Sequence, residues 1–174
     1  MSEATDTVEL TRRVQGLMVF LGSLTDSLET SVGRGAKAVC SRAGRKTGLK
    51  TEVKRTESDL LGALDVVRQE MLDMGINWPF SPYKKASEPE LITSNDGIRE
   101  IDLPFQNCIV RCTLFRYGFP QGMSLCETKH GLFCGLFEKV YGARAKLDIT
   151  HAGENACLLK LKVYEGSGQK EERS

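Results

Sequence analysis

Both histidines of the chain, His130 and His151, and three of its six cysteines, Cys126, Cys134 and Cys157, fall in its last third. Thiolate sulfur and imidazole nitrogen are preferred ligands of zinc. Cys126 and His130 stand four residues apart, so on a helix they share one face, one turn apart, and can reach a single metal ion. Cys134 continues that face. Three readings of the cluster stay open: a bound metal, plain buried thiols, since free cysteine is commonly buried, or a reactive or lipid-modified cysteine.

Composition excludes several other chemistries. Of 174 residues, 24 are basic and 23 acidic, so no global field draws the chain to nucleic acid or an anionic membrane. The local basic run Arg42, Arg45, Lys46, Lys50, Lys54 and Arg55 reads as a solvated helix face. No apolar run approaches the roughly 20 residues that span a bilayer. The apolar stretch Gly16 to Leu24 lies behind acidic residues and Arg12-Arg13 and lacks a small-residue cleavage site, which makes it a poor signal peptide. A cytoplasmic protein without a transmembrane segment is expected, its cysteines thiols or metal ligands and not disulfides. No Gly-rich phosphate loop, nucleophile elbow, dinucleotide fingerprint or Ser/His/Asp arrangement stands out, so catalysis is a weaker expectation than binding.

The elements that must position these groups follow from apolar spacing. Leu10, Val14, Leu17, Met18, Leu21, Leu24 and Leu28 recur at helical intervals and predict a long amphipathic helix over 7–30. Gly33 and Gly35 break it. A second helix through Ala36, Val39, Cys40 and Ala43 is expected to end near Gly48, with the glycine as its left-handed cap. A third starts after Glu57-Ser58-Asp59, where acidic groups suit the helix dipole. It carries Leu60, Leu61, Leu64, Val67, Met71 and Met74 on one stripe and ends at Gly75. Trp78-Pro79-Phe80 and Pro82 then interrupt helical pattern. Asn95-Asp96-Gly97 between short apolar runs predicts a β-hairpin. The segment 107–117 fits a helix, with Cys108, Cys112 and Phe115 on one face, or a strand. A further helix runs over 124–141, with Gly131 and Gly135 four apart, a spacing that lets another backbone or a ligand approach. Two strands, 145–150 and 157–164, follow. The whole reads as an α+β fold: N-terminal helices on a small antiparallel sheet, with a cysteine-bearing helix before a C-terminal β-hairpin.

The run Cys126-Glu-Thr-Lys-His-Gly131-Leu-Phe-Cys-Gly135, continued by Glu138-Lys-Val-Tyr-Gly142, resembles the 4-vinyl-reductase-like, or hydrocarbon-binding, domain family. That family sets a cysteine before a helix with two glycines four apart, and a hairpin carrying an acidic residue and further cysteines after it. Ala43-Gly44-Arg45-Lys46-Thr47-Gly48 resembles its glycine-arginine-glycine helix end. The family includes sensory domains of phenol-responsive bacterial regulators and shares its fold with TRAPP transport-tether subunits. In the phenol-sensor branch a Cys, Glu, Cys, Cys set binds structural zinc. By position the resemblance implies Cys126, Asp148, His151 and Cys157 as ligands, with His130 as a substitute ligand. Asp148-Ile-Thr-His151 departs from the family's acidic-x-x-cysteine element, and the turn before Cys157 is shorter. Asp148 and His151, three apart, point to opposite faces of a regular strand, so both can bind one ion only if the strand bulges or turns at Thr150. Such an ion would be structural, tying the helix to the hairpin.

The resemblance also implies a ligand pocket between helices and sheet. Candidate lining residues are Trp78, Phe80, Phe105, Phe115, Phe119, Phe133 and Phe137, with Tyr117 or Tyr141 supplying an orienting hydroxyl. Three functions follow in order. The first is a non-catalytic module, 33–165, holding a small hydrophobic, aromatic or tetrapyrrole-like ligand. The second is a homodimer or a subunit or assembly factor of a larger complex, docking through a helix over 1–32 whose apolar stripe exceeds what one small domain covers. The third is an enzyme acting on a tetrapyrrole or hydrophobic substrate. A charged tail, 166–174, is expected to be flexible.

Overall fold

The computed structural model describes residues 3–87, 90–153 and 156–166; the predicted tail, apart from Gly166, lies outside them. Five helices, α1 (Glu3–Val32), α2 (Gly35–Lys50), α3 (Leu60–Asp73), α4 (Ile109–Arg116) and α5 (Ser124–Tyr141), accompany four strands. These are β1 (Thr93–Asn95), β2 (Ile98–Gln106), β3 (Arg144–Ala152) and β4 (Ala156–Tyr164), in the antiparallel order β1-β2-β4-β3. The fold is α+β, and β3 and β4 form the expected C-terminal hairpin.

Local chemistry accounts for most boundaries. Asp59 caps α3 by accepting from the Gly62 amide at 2.8 Å, one of the donors every helix N-terminus leaves over. Asp96 (φ 48°) and Gly97 (φ 75°) make the tight turn between β1 and β2, with both central residues in the left-handed region that this hairpin needs. The ambiguous segment 107–117 is helical, but Cys112 and Phe115 face solvent while Val110, Arg111, Thr113 and Leu114 are buried.

One expected boundary is corrected. Gly48 does not cap α2, which continues to Lys50. A Cβ on Gly48 would fall 2.3 Å from the Leu132 carbonyl oxygen, and one on Gly135 would fall 2.3 Å from that of Arg45. Gly44 and Gly131 are as close to Thr128 and Ser41, at 2.0 Å each. The two pairs of glycines four apart thus face each other across α2 and α5. The backbone that the α5 glycines admit is that of α2.

The core lies between the inner face of the sheet and helices α3 and α5. Along β4, Cys157, Leu159, Leu161 and Val163 point inward, alternating with the half-buried Leu158, Lys160 and Lys162. Helix α1 docks on this body through Met18, through Gly22 against the Phe119 ring, and through Glu29, whose carboxylate accepts from the Ser124 amide at 2.5 Å. Helix α5 has no side-chain cap of its own; α1 provides the negative charge its N-terminus favours. No helix among the described residues is long and apolar enough to cross a membrane.

Candidate functional site

Helix α5 carries chemistry on two sides. On one, Cys126 and Lys129 are a helical turn apart and both are buried. Lys129 is 5% exposed, and its Nζ donates to Cys108 Sγ at 3.5 Å from the position just ahead of α4. The amine also lies 4.9 Å from the Phe105 ring centre and 5.6 Å from that of Trp78, within the range of a cation–π contact. Cys157 is paired with Phe105 across β4 and β2, which places it on the same inner face. Burial pushes the Cys126 and Cys157 thiols up, opposed in both by the charge of Lys129. Cys108 and Cys157 are near enough to Cys126 to raise it further. Lys129 thus meets one thiol, that of Cys108, and its charge is felt by the two others, Cys126 on α5 and Cys157 on β4.

Asp148 and His151 do not join this group. The register of β3 against β4 shifts between Ile149 and His151, so the bulge required at Thr150 is present; the Thr150 hydroxyl donates to the Leu158 carbonyl at 2.9 Å. Its effect is to bring His151 opposite Leu158 and to leave Asp148 opposite Lys160, so that both residues stand on the outer face, away from Cys157. Asp148 is ion-paired there with Lys146 at 2.7 Å and Lys162 at 3.3 Å, and Lys162 and Lys160 continue the ladder to Glu100. Burial raises the Asp148 carboxyl, but the two lysines outweigh it and hold it below the usual range. His151 is exposed. The structure brings together Cys126 and Cys157 of the four implied zinc ligands and leaves the other two on the opposite side of the sheet. Among the described residues, no group of three or more His, Cys, Asp or Glu side chains is placed to hold a metal ion. As arranged, the donor set does not fit zinc.

The aromatic residues divide as well. Phe80 stacks on Phe105 at 5.0 Å, both meet Phe133 edge-on, and Phe133, Phe137 and Tyr141 continue as a stacked column. These rings, with Trp78, are packed against one another as core. Phe119 is half-buried against α1, and Phe115 is 59% exposed. The Tyr141 hydroxyl accepts from Arg99 at 2.8 Å, and Tyr117 is exposed.

The other side of α5 borders a cleft of about 480 Å³, closed by α2 and the edge strand β3. Ala38, Ala145, Leu147 and Ile149 give it apolar walls; Ser41, Lys37, Arg45, Lys146, Glu127 and Asp148 line its polar parts. Arg45 is held by Glu138 at 2.5 Å. His130, 3% exposed, lies in the cleft wall with its Nδ1 lacking a hydrogen-bond partner among the described residues; Glu127 Oε1, at 3.7 Å, is beyond hydrogen-bond reach. Burial depresses its pKa, partly offset by Glu127. Cys134 in the same wall is fully buried, its thiol pushed up to about 12 chiefly by desolvation. The Cys126/His130 pair thus divides, Cys126 turning to the thiol cluster and His130 to the cleft.

Sequence reasoning missed Lys129, Cys108 and the cleft. One signal was available for Lys129: at helical spacing it shares a face with Leu125, Leu132, Phe133 and Leu136, and a lysine inside an apolar stripe is a buried cation in need of partners. Nothing local marked Cys108 or the cleft, which three distant segments create.

No protein-family model matches the sequence, and comparison with curated proteins gave no match. Among solved structures, the chain is similar to the phenol-responsive sensory domain of the transcription activator PoxR, crystallised with phenol. The TM-score is 0.61 with 15% identity, over 84% of this chain and 74% of that one. At this identity the likeness is one of fold.

Proposed function

We propose that this protein is a non-catalytic module that binds a small aromatic or otherwise apolar molecule bearing a hydroxyl group, in the cleft between α2, α5 and β3. The observation that carries the reading is His130, buried in the cleft wall with Nδ1 unpartnered. A buried polar atom left unsatisfied costs about 1–3 kcal/mol, and a ligand hydroxyl seated between Nδ1 and Glu127 would relieve it. The cleft has the size of a small-molecule site, roughly 300–1,000 Å³, with an apolar part formed by Ala38, Ala145, Leu147 and Ile149 beside its polar groups. The fold shared with a phenol-responsive sensory domain supports the ligand class.

The test is a titration of the isotope-labelled chain with phenol, followed by amide shifts and by the emission of Trp78, the single tryptophan. Saturable shifts at Ser41, His130 and Ile149 with unchanged Trp78 emission are expected. Shifts centred on Trp78 and Phe105 would overturn the cleft as the site. The absence of saturable shifts, together with no small-molecule adduct in native mass spectra of the freshly purified chain, would overturn the ligand class.

A second reading concerns assembly and is favoured by α1. Leu10, Val14, Leu17, Leu21, Leu24 and Leu28 alternate at intervals of four and three, the heptad spacing of a helix–helix seam. Leu10, Leu17 and Leu24 are 63%, 57% and 55% exposed, although Met18 and Gly22 on the adjacent face are buried against the body. A second copy presenting the same seam is the occupant this spacing supports.

A further inference from the structure

Lys129 brings a nitrogen nucleophile into contact with a thiol inside the core. Its Nζ lies 3.5 Å from Cys108 Sγ, and both residues are buried, 5% and 1% exposed. The faces of Phe105 and Trp78, 4.9 and 5.6 Å from the amine, hold it at that position. Cys108 is a free thiol at the residue that leads β2 into α4, so the contact joins α5 to a segment 21 residues earlier in the chain. A thiol oxidised to the sulfenic acid has an electrophilic sulfur, which condenses with a thiol or a nitrogen within reach. The group that touches the Cys108 sulfur is an amine on a flexible four-carbon stem, whose rotatable bonds let it close the remaining distance.

We propose that Cys108 and Lys129 form a covalent modification site: hydrogen peroxide converts the pair into a sulfenamide that links α5 to the start of α4. The conversion balances with one peroxide. In the first step peroxide takes two electrons from the Cys108 sulfur, its O–O bond breaks, and the sulfenic acid and one water result. In the second the Lys129 nitrogen attacks that sulfur. The S–N bond forms, the S–O bond breaks, and a second water leaves with a proton of the amine. Two equivalents of a small thiol reverse the link, returning thiol and amine and becoming a disulfide themselves. Peroxide reaches Cys108 when α4, a helix of eight residues, opens locally, whereas Cys112 on the same helix is exposed already. The inference is independent of the cleft, which lies on the other side of α5.

The test uses the full chain with Cys112→Ser, which removes the exposed thiol and leaves five of the six. The reduced protein is treated with hydrogen peroxide in rising amounts, denatured in excess maleimide and digested. Three results are expected: an intact mass lower by two hydrogens, one thiol fewer open to maleimide, and a linked peptide pair holding Cys108 and Lys129 that dithiothreitol separates. The thiol count sets this apart from a disulfide, which also loses two hydrogens but consumes two thiols. A disulfide at Cys108, a linked pair that retains an oxygen atom, or a sulfinic acid at Cys108 without a linked pair would overturn the proposal. So would a Cys108 that stays a free thiol at every peroxide concentration that leaves the chain folded. Lys129→Arg is expected to lose the link and leave a sulfenic acid at Cys108 that dimedone traps. The same loss of two hydrogens with one thiol consumed in that variant would take the reaction away from this amine. If Lys129→Arg does not fold by circular dichroism, the peptide map of the chain with native Lys129 decides alone.

Discussion

Gly131 on α5 lies directly against Ser41 on α2: a Cβ on the glycine would fall 2.0 Å from the serine carbonyl oxygen. Nothing in that direction is a side chain that could turn aside, so the helices would have to separate. Overpacking commonly costs about 1–3 kcal/mol, more where backbone must move. Gly131→Ala is therefore expected to cost more than about 3 kcal/mol in urea unfolding. Gly16 on α1 has open space around it, and Gly16→Ala should stabilise by roughly 0.5–1 kcal/mol. Equal effects of the two substitutions would contradict the close approach of α2 and α5.

The aromatic residues separate into core and surface, and truncation measures which is which. Phe133 is 1% exposed and touches three other rings, so Phe133→Ala should cost about 3–5 kcal/mol. Phe115 is turned to solvent, and Phe115→Ala should stay within about 0.5 kcal/mol of the wild type. Thermal or denaturant unfolding of the two variants checks the pair.

His130 makes stability depend on pH in a defined direction. Its folded pKa lies below the ordinary value of 6.5 because burial disfavours the charged ring. The unfolded chain then binds the proton more readily, so stability is fully present above about 6.5 and falls as the pH drops from there through the folded value. His130→Gln should flatten that limb of the stability profile. Ring proton shifts followed by NMR report the site itself, and His151→Gln assigns the two histidines. A His130 pKa above 6.5 would contradict the buried neutral ring.

The exposed seam of α1 predicts an association equilibrium. Leu17→Lys with Leu24→Lys puts two charges on the heptad face without touching Met18 or Gly22, which hold α1 to the body. Sedimentation analysis should find a dimer in the wild type and a folded monomer in the double variant. A monomeric wild type at all concentrations would leave the seam without a second copy.

Much of the fold is legible in the residues because it is a local matter. The stripe of Leu60 to Met71, the Asp59 cap, the Asp96-Gly97 turn and the inward alternation from Cys157 to Val163 depend on neighbours within a few positions, and the structure has each where spacing puts it; Met74, expected on the same stripe, is exposed because α3 ends at Asp73. Segment 107–117 was not resolved in this way, since its apolar pattern suits either period and its helical state is a matter of burying Val110 and Leu114.

The site is a different case. Spacing could name Cys126, His130, Asp148, His151 and Cys157 as groups with chemistry, but it could not say which face of the molecule each would reach. A single extra residue at Thr150 places His151 with Asp148 on the outer face and away from Cys157, because side-chain direction along a strand reverses with every residue. The same holds for Gly48, a helix cap by local chemistry and a contact with the α5 backbone in the fold. The residue types and their helical or strand periods are properties of the chain alone. That Cys108 is the thiol meeting Lys129, and that His130 faces a cleft, depend on contacts between segments far apart in sequence, and only tertiary packing selects among these.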